Sequence, residues 1–252
     1  MSVISIASLK AAPGATTSAL LLATTWPSPD RLALLEVDPD GGVLAPRLGL
    51  GTDPGLVSLC AAARREGFMP SLWDHAQPAP GGLDVIVGPA SAHQARAALE
   101  LATALPMVLE NADGVVVADC GRVSPNSPAR SVFESADLSI LVTRPRLDEL
   151  HHLAPNTSPP LRGATPASAD ALLLVGDGPY ARDEVEEALG IEVIGVLPDD
   201  PAAAGALRDG RGHRRGLERS ELVRAARALS ADISTRLASP PLADGPAEER
   251  AS

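Results

Sequence analysis

Val3-Ile4-Ser5-Ile6-Ala7-Ser8-Leu9-Lys10-Ala11-Ala12-Pro13-Gly14-Ala15-Thr16-Thr17 decides how the rest of the chain is read. Val3 to Ala7 is a short apolar run with β-branched residues, the mark of a strand buried on both faces. Pro13-Gly14 breaks it, and from Ala15 to Thr25 the residues suit a helix. A strand, a loop and a helix in this order present the unpaired N–H groups of a helix N-terminus just beyond a strand end, a place suited to phosphate.

Outward from this stretch the alternation continues. Strands are expected at Leu32 to Val37, Leu83 to Val87, Gly114 to Asp119, Leu138 to Thr143, Ala171 to Val175 and Glu192 to Leu197. Helices are expected at Pro54 to Glu66, Ser91 to Leu105 and Glu218 to Leu237. The pattern predicts an α/β fold: a mostly parallel, doubly wound sheet of about seven strands, helices on both faces, and ligands at the carboxyl ends of strands. One domain is expected over 1–238. Within it, 154–169 is rich in Pro, Ser and Thr and reads as a flexible loop, and 239–252 reads as a disordered tail.

Composition narrows the function. Hydrophobic residues make up 45% of the 252 and aromatic ones 2%, so Leu, Val, Ile and Ala must fill the core. No stretch approaches the roughly 20 apolar residues of a membrane span and none reads as a cleaved leader, which predicts a cytoplasmic protein. Cys60 and Cys120 show no metal or redox spacing and are expected to be reduced core residues. The net charge of −11 disfavours nucleic acid, although seven arginines between Arg208 and Arg227 face only Asp209, Glu218 and Glu221. The apolar stripe of the last helix, Leu222, Val223, Ala226, Leu229, Ile233 and Leu237, is expected to pack on the sheet rather than lie on a membrane. Of 21 basic residues Lys10 alone is lysine.

A complete Walker A loop ends in Lys-Ser/Thr, the lysine neutralising β- and γ-phosphate charge and the hydroxyl holding Mg²⁺. Here Gly14 and Thr16 keep their places and Ala15 stands in the lysine position. Lys10 with Thr16-Thr17 resembles the deviant loop K-G-G-x-G-K-T-T of the ParA/MinD family of P-loop ATPases. The resemblance continues in order along the chain. Leu35-Glu36-Val37-Asp38-Pro39-Asp40-Gly41 is similar to the family's D-x-D-P-x-G segment, and Val115 to Gly121 to its Walker B strand. Ala136 to Pro145 is similar to its next strand, and Val196-Leu197-Pro198-Asp199-Asp200 to the turn beside the adenine. The K-x-x-P-G-x-T-T spacing of Lys10 to Thr17 also resembles a degenerate actinobacterial subgroup, and there is a looser likeness to TadZ-type positioning proteins.

The resemblance implies a P-loop NTPase fold binding ATP or ADP with Mg²⁺. It assigns phosphate to Lys10, Pro13, Gly14, Ala15, Thr16 and Thr17, the metal to Thr16, Asp38 and Asp119, and the base region to Asp177 and Pro198. Asp38 would position water, and Lys10 would be the signature lysine reaching across a homodimer. Glu36 is one methylene longer than the family's Asp, and Ala15 removes a stabilising charge, so hydrolysis is expected to be slow or absent. Two readings follow. One is a pseudo-ATPase that dimerises and positions a protein partner of secretion, pilus, division or partitioning machinery. The other is a weak partitioning ATPase that binds DNA nonspecifically. Against both stands the plainer possibility that Lys10 is a solvated loop residue, that Thr16, Asp38 and Asp119 only cap turns and helices, and that the loop is a packed turn.

Overall fold

The computed structural model describes residues 2–10, 13–27, 31–65, 67, 69–153, 169–209 and 217–238. Ala11 and Ala12, nearly all of the loop expected over 154–169, the tail expected over 239–252, and Arg211, Arg214 and Arg215 lie outside the described residues.

The strands are β1 (Ser2–Ser8), β2 (Leu32–Glu36), β3 (Gln77–Pro78), β4 (Asp84–Ile86), β5 (Val115–Arg122), β6 (Leu138–Thr143), β7 (Ala171–Val175) and β8 (Glu192–Leu197). The first helices are α1 (Ala15–Thr24), α2 (Leu44–Leu48), α3 (Leu56–Ala63), α4 (Ala92–Leu101) and α5 (Leu105–Glu110). After them come α6 (Arg130–Glu134), α7 (Leu147–Leu150), α8 (Arg182–Leu189), α9 (Pro201–Arg208) and α10 (Glu221–Ala238). The strands build one eight-stranded sheet in the order β3-β4-β2-β5-β1-β6-β7-β8. Every pairing is parallel except the antiparallel β3–β4 edge. The expected seven parallel strands are all present. The eighth, β3, has two residues, one of them Pro78, too little to leave a strand pattern.

Alternation along each strand sends side chains to two separate cores. Ile4, Ile6, Leu34, Val117 and Leu173 pack beneath α1, α2, α9 and α10. Val3, Ala7, Leu35, Val116, Ala118 and Cys120 pack beneath α3, α4, α5, α6 and α8. Cys60 and Cys120 are free and buried, and burial pushes the Cys60 thiol up to about 12.

Two helical expectations need correction. The helix expected from Ser91 to Leu105 ends at Leu101, and α5 begins anew at Leu105. Pro106 has no N–H and disfavours helical backbone in the residue before it, so it opens a helix instead of continuing one. The terminal helix begins with a short 3₁₀ turn at Leu217–Arg219, and Ser220 Oγ accepts from Val223 N (3.2 Å) as α10 starts. Its stripe of Leu222, Val223, Ala226, Leu229 and Ile233 is buried against α1 and β8, so the packed role holds.

Candidate functional site

The site grows from the carboxyl end of β1, at the centre of the sheet between β5 and β6. Gly14 has φ 117°, a backbone that side-chain-bearing residues rarely adopt, and it caps α1 without a side-chain hydrogen bond. The first turn of α1 carries no acidic residue, and its first backbone bond closes from Ser18 N to Gly14 O (2.8 Å). The N–H groups of Ala15, Thr16 and Thr17 therefore meet the positive end of the helix with no side chain capping them. Ala15, at 5% exposure, brings no charge there.

Two acids stand at neighbouring strand ends, and Asp119 is the one beside this turn. Glu36 and Asp119 are Cα partners in the β2–β5 ladder and are 1% and 0% exposed. Asp119 Oδ1 accepts from Gly121 N (3.1 Å), while Oδ2 has no hydrogen-bond partner among the described residues. Burial pushes the Asp119 carboxyl up to about 7, and the charges of Glu36 and Asp38 add to the effect. The Thr16 hydroxyl beside it and the Gly121 N–H act in the opposite direction. Asp38 follows β2 and is raised chiefly by burial, and its carboxylate lies directly over the backbone of Gly121 (φ 58°), where a Cβ would overlap it. The structure thus brings Thr16, Asp38 and Asp119 together.

Glu36 does something the sequence did not disclose. Its Oε1 accepts from Val43 N (2.6 Å) and Leu44 N (3.0 Å), and its Oε2 accepts from Gly88 N (2.9 Å). The longer side chain joins the end of β2 to the start of α2 and to the loop after β4. Burial raises its carboxyl, and the three backbone N–H groups act in the opposite direction.

Three arginines near the acids also escaped the sequence reading. Asp40 accepts from Arg96 Nη2 (2.6 Å) and from Arg122 Nη2 (3.2 Å), and its own N–H donates to Asp38 Oδ1 (2.8 Å). The half-buried Arg47 on α2 carries its charge toward Asp119 and Glu36, with burial pulling its guanidinium down. A charged residue at the end of the acid-bearing strand, Arg122, was the available signal. Lys10 is exposed and donates from Nζ to His152 Nε2 (2.8 Å), just past α7, so its ammonium is drawn toward the β6 side of the loop.

Asp177 and Pro198 stand at the carboxyl ends of β7 and β8, which Gly176 N joins by donating to Leu197 O (2.8 Å). Asp177 is exposed and Pro198 partly buried. Both share the carboxyl rim of the sheet with the phosphate-type loop.

No family model matches the chain, and no curated protein matches it by sequence. Solved structures do match by shape. A ParA family ATPase from Chlorobium tepidum TLS superposes with TM-score 0.74 at 20% identity, over 91% of this chain and 97% of that one. The septum site-determining protein MinD from Pyrococcus horikoshii OT3, complexed with Mg-ADP, gives 0.73 at 18% identity over 94% and 97%. The MinC:MinD cell division protein complex of Aquifex aeolicus gives 0.61 at 14% identity over 96% and 98%. The chain therefore has the ParA/MinD-like P-loop NTPase fold.

Proposed function

We propose that this chain is a degenerate ParA/MinD-like nucleotide-binding protein of the cytoplasm, slow or inactive in hydrolysis, that dimerises and positions a protein partner. The observation that carries the reading is the buried Asp119 carboxylate. Its Oδ2 lacks a hydrogen-bond partner among the described residues, and it lies beside the Thr16 hydroxyl at the uncapped start of α1.

A buried, unpartnered carboxylate oxygen is costly unless something cationic takes it up. Hydroxyl and carboxylate oxygens are the donors Mg²⁺ prefers, with phosphate and water filling its remaining positions. Thr16 and Asp119 would hold that ion, with Asp38 at its outer edge, and the ion would supply positive charge against the phosphates. Among the described residues no three His, Cys, Asp or Glu side chains form a metal cluster, and this two-carboxylate set does not require one.

The N–H groups of Ala15, Thr16 and Thr17 would bind phosphate, with Pro13 and Gly14 fixing the entry of the loop. Asp177 and Pro198 would flank the base. Lys10 would serve a partner subunit only after leaving His152. Asp38 could orient a water. With Ala15 in the lysine position, however, about 3 to 4 kcal/mol of transition-state stabilisation is missing, the typical loss for one electrostatic donor. The partner would belong to secretion, pilus, division or partitioning machinery, a class supported by the fold and by the MinC-bound relative.

The test is calorimetric titration with ATP and ADP in Mg²⁺, on the unmodified chain and on Thr16→Ala. Saturable binding weakened by the substitution is expected. No saturation at millimolar nucleotide would remove the proposal.

A further inference from the structure

The nucleotide reading leaves a charge missing at Ala15, and the fold places another cation beside the same loop. Arg122 is the last residue of β5 and the Cα partner of Ser8, the last residue of β1 before the loop. The two strand ends are locked there: Val123 N donates to Ser8 O (2.9 Å), and Ser8 Oγ donates to Gly121 O (3.4 Å). Arg122 is thus fixed by backbone at the mouth of the loop, while its side chain stays 58% exposed.

Asp40 holds the Arg122 guanidinium on one side and Arg96, from α4, on the other. Asp40 engages only Nη2 of Arg122, so the other nitrogens of this exposed guanidinium are open to a ligand, in a chain whose net charge is −11. Asp38, tied to the Asp40 backbone, borders the same cluster. A guanidinium offers five donors in a planar fork that fits phosphate oxygens in pairs, which a lysine cannot do.

Resting on the nucleotide reading above, we propose that Arg122, held by Asp40 and backed by Arg96, is a phosphate-binding residue. It faces the terminal phosphate of a nucleoside di- or triphosphate and stands in for the charge absent at Ala15. Asp40 competes for the Arg122 guanidinium, and a terminal phosphate displaces it as the partner.

The test is a titration of the full chain with ATP, ADP and AMP in Mg²⁺, repeated on Arg122→Ala, Arg122→Lys and Asp40→Asn, with thermal unfolding as the check on folding. Losing a charge-assisted, two-pronged contact should weaken ATP and ADP at least about tenfold in Arg122→Ala. AMP, which ends at its α-phosphate, should change less than about twofold, and Arg122→Lys should recover part of the loss. Asp40→Asn, which frees both arginines, should bind ATP at least as tightly as the unmodified chain. If the unmodified chain binds ATP and Arg122→Ala binds it equally well, the role of Arg122 is wrong and the nucleotide reading stands. If Arg122→Ala weakens all three nucleotides equally, Arg122 acts on the fold and the proposal is overturned. If the unmodified chain binds none of them at millimolar concentration, the nucleotide reading itself falls and this inference with it.

Discussion

Asp119 has an ordinary pKa of 3.8 and reaches about 7 in the folded chain, so folding raises its affinity for a proton. The folded state therefore binds more protons than the unfolded one between those values, and metal-free stability falls as pH rises from about 4 to 7. Asp119→Asn removes the Asp119 share of this dependence, while Glu36 and Asp38, also raised by burial, keep theirs. Denaturant titration in a chelator should show the variant equal to the unmodified chain near pH 4 and more stable at pH 8, by up to about 4 kcal/mol. A variant less stable at pH 8 would contradict the account of burial given for this carboxylate. Glu36 is also raised by burial, but unlike Asp119 Oδ2 its carboxylate oxygens are taken up by three backbone N–H groups. Glu36→Ala strands the N–H groups of Val43, Leu44 and Gly88 and should cost about 3 kcal/mol in denaturant unfolding. Glu36→Asp, which restores the shorter acid, should also destabilise, by about 1 to 2 kcal/mol, because it cannot span both the start of α2 and the loop after β4.

Among the elements, α10 tests the packing argument. Leu229 is buried at 7% and rests on β8 where Gly195 leaves room, since a Cβ there would come within 2.9 Å of Leu229 Cδ1. Leu229→Ala should cost about 2 to 4 kcal/mol in chemical denaturation. Thr25 Oγ1 and Ser230 Oγ lie 2.6 Å apart and anchor the same helix to the end of α1. What could be read in the chain follows from what makes an element. β6 and β7 have the bounds expected from their apolar runs, because strands buried on both faces need uninterrupted hydrophobicity, and β8, half-exposed at the sheet edge, has its expected bounds as well. The break between α4 and α5 was legible in Pro106 but lost in a continuous apolar pattern. At the site, Thr16, Asp38 and Asp119 follow from strand ends and motif order. The work of Glu36 and the Asp40–Arg96–Arg122 cluster does not, because it depends on segments distant in sequence, the end of β2, α4 and the end of β5, meeting in space, and no local pattern encodes such a meeting.

For the whole molecule, charge and assembly carry the predictions. Of the described arginines in the basic segment, Arg208 pairs with Asp209 (3.6 Å) and Arg224 with Glu221 (3.5 Å), so two of the three acids set against that segment are engaged within it. With a net charge of −11, duplex DNA should not be retained in a mobility shift at physiological salt. Retention that falls steeply with salt and disappears when Arg219 and Arg227 are neutralised would overturn this. Light scattering should show a larger species with ATP and Mg²⁺ than without nucleotide, as a nucleotide-gated dimer requires. Among the described residues no helix is long and apolar enough to cross a membrane.

The two borders of the sheet differ in how they resist misassembly. At one border β3 is two residues long and ends in Pro78, which has no N–H to offer, so a stray strand finds almost nothing to zip onto. At the other, β8 runs for six residues with Val196 44% exposed, and among the described residues the Glu192–Arg236 ion pair (2.7 Å) stands at its start. Strand-to-strand misassembly is therefore expected at the β8 border rather than at β3. Weakening the ion pair at β8 would expose a template for fibre growth, whereas the β3 border is already blunt.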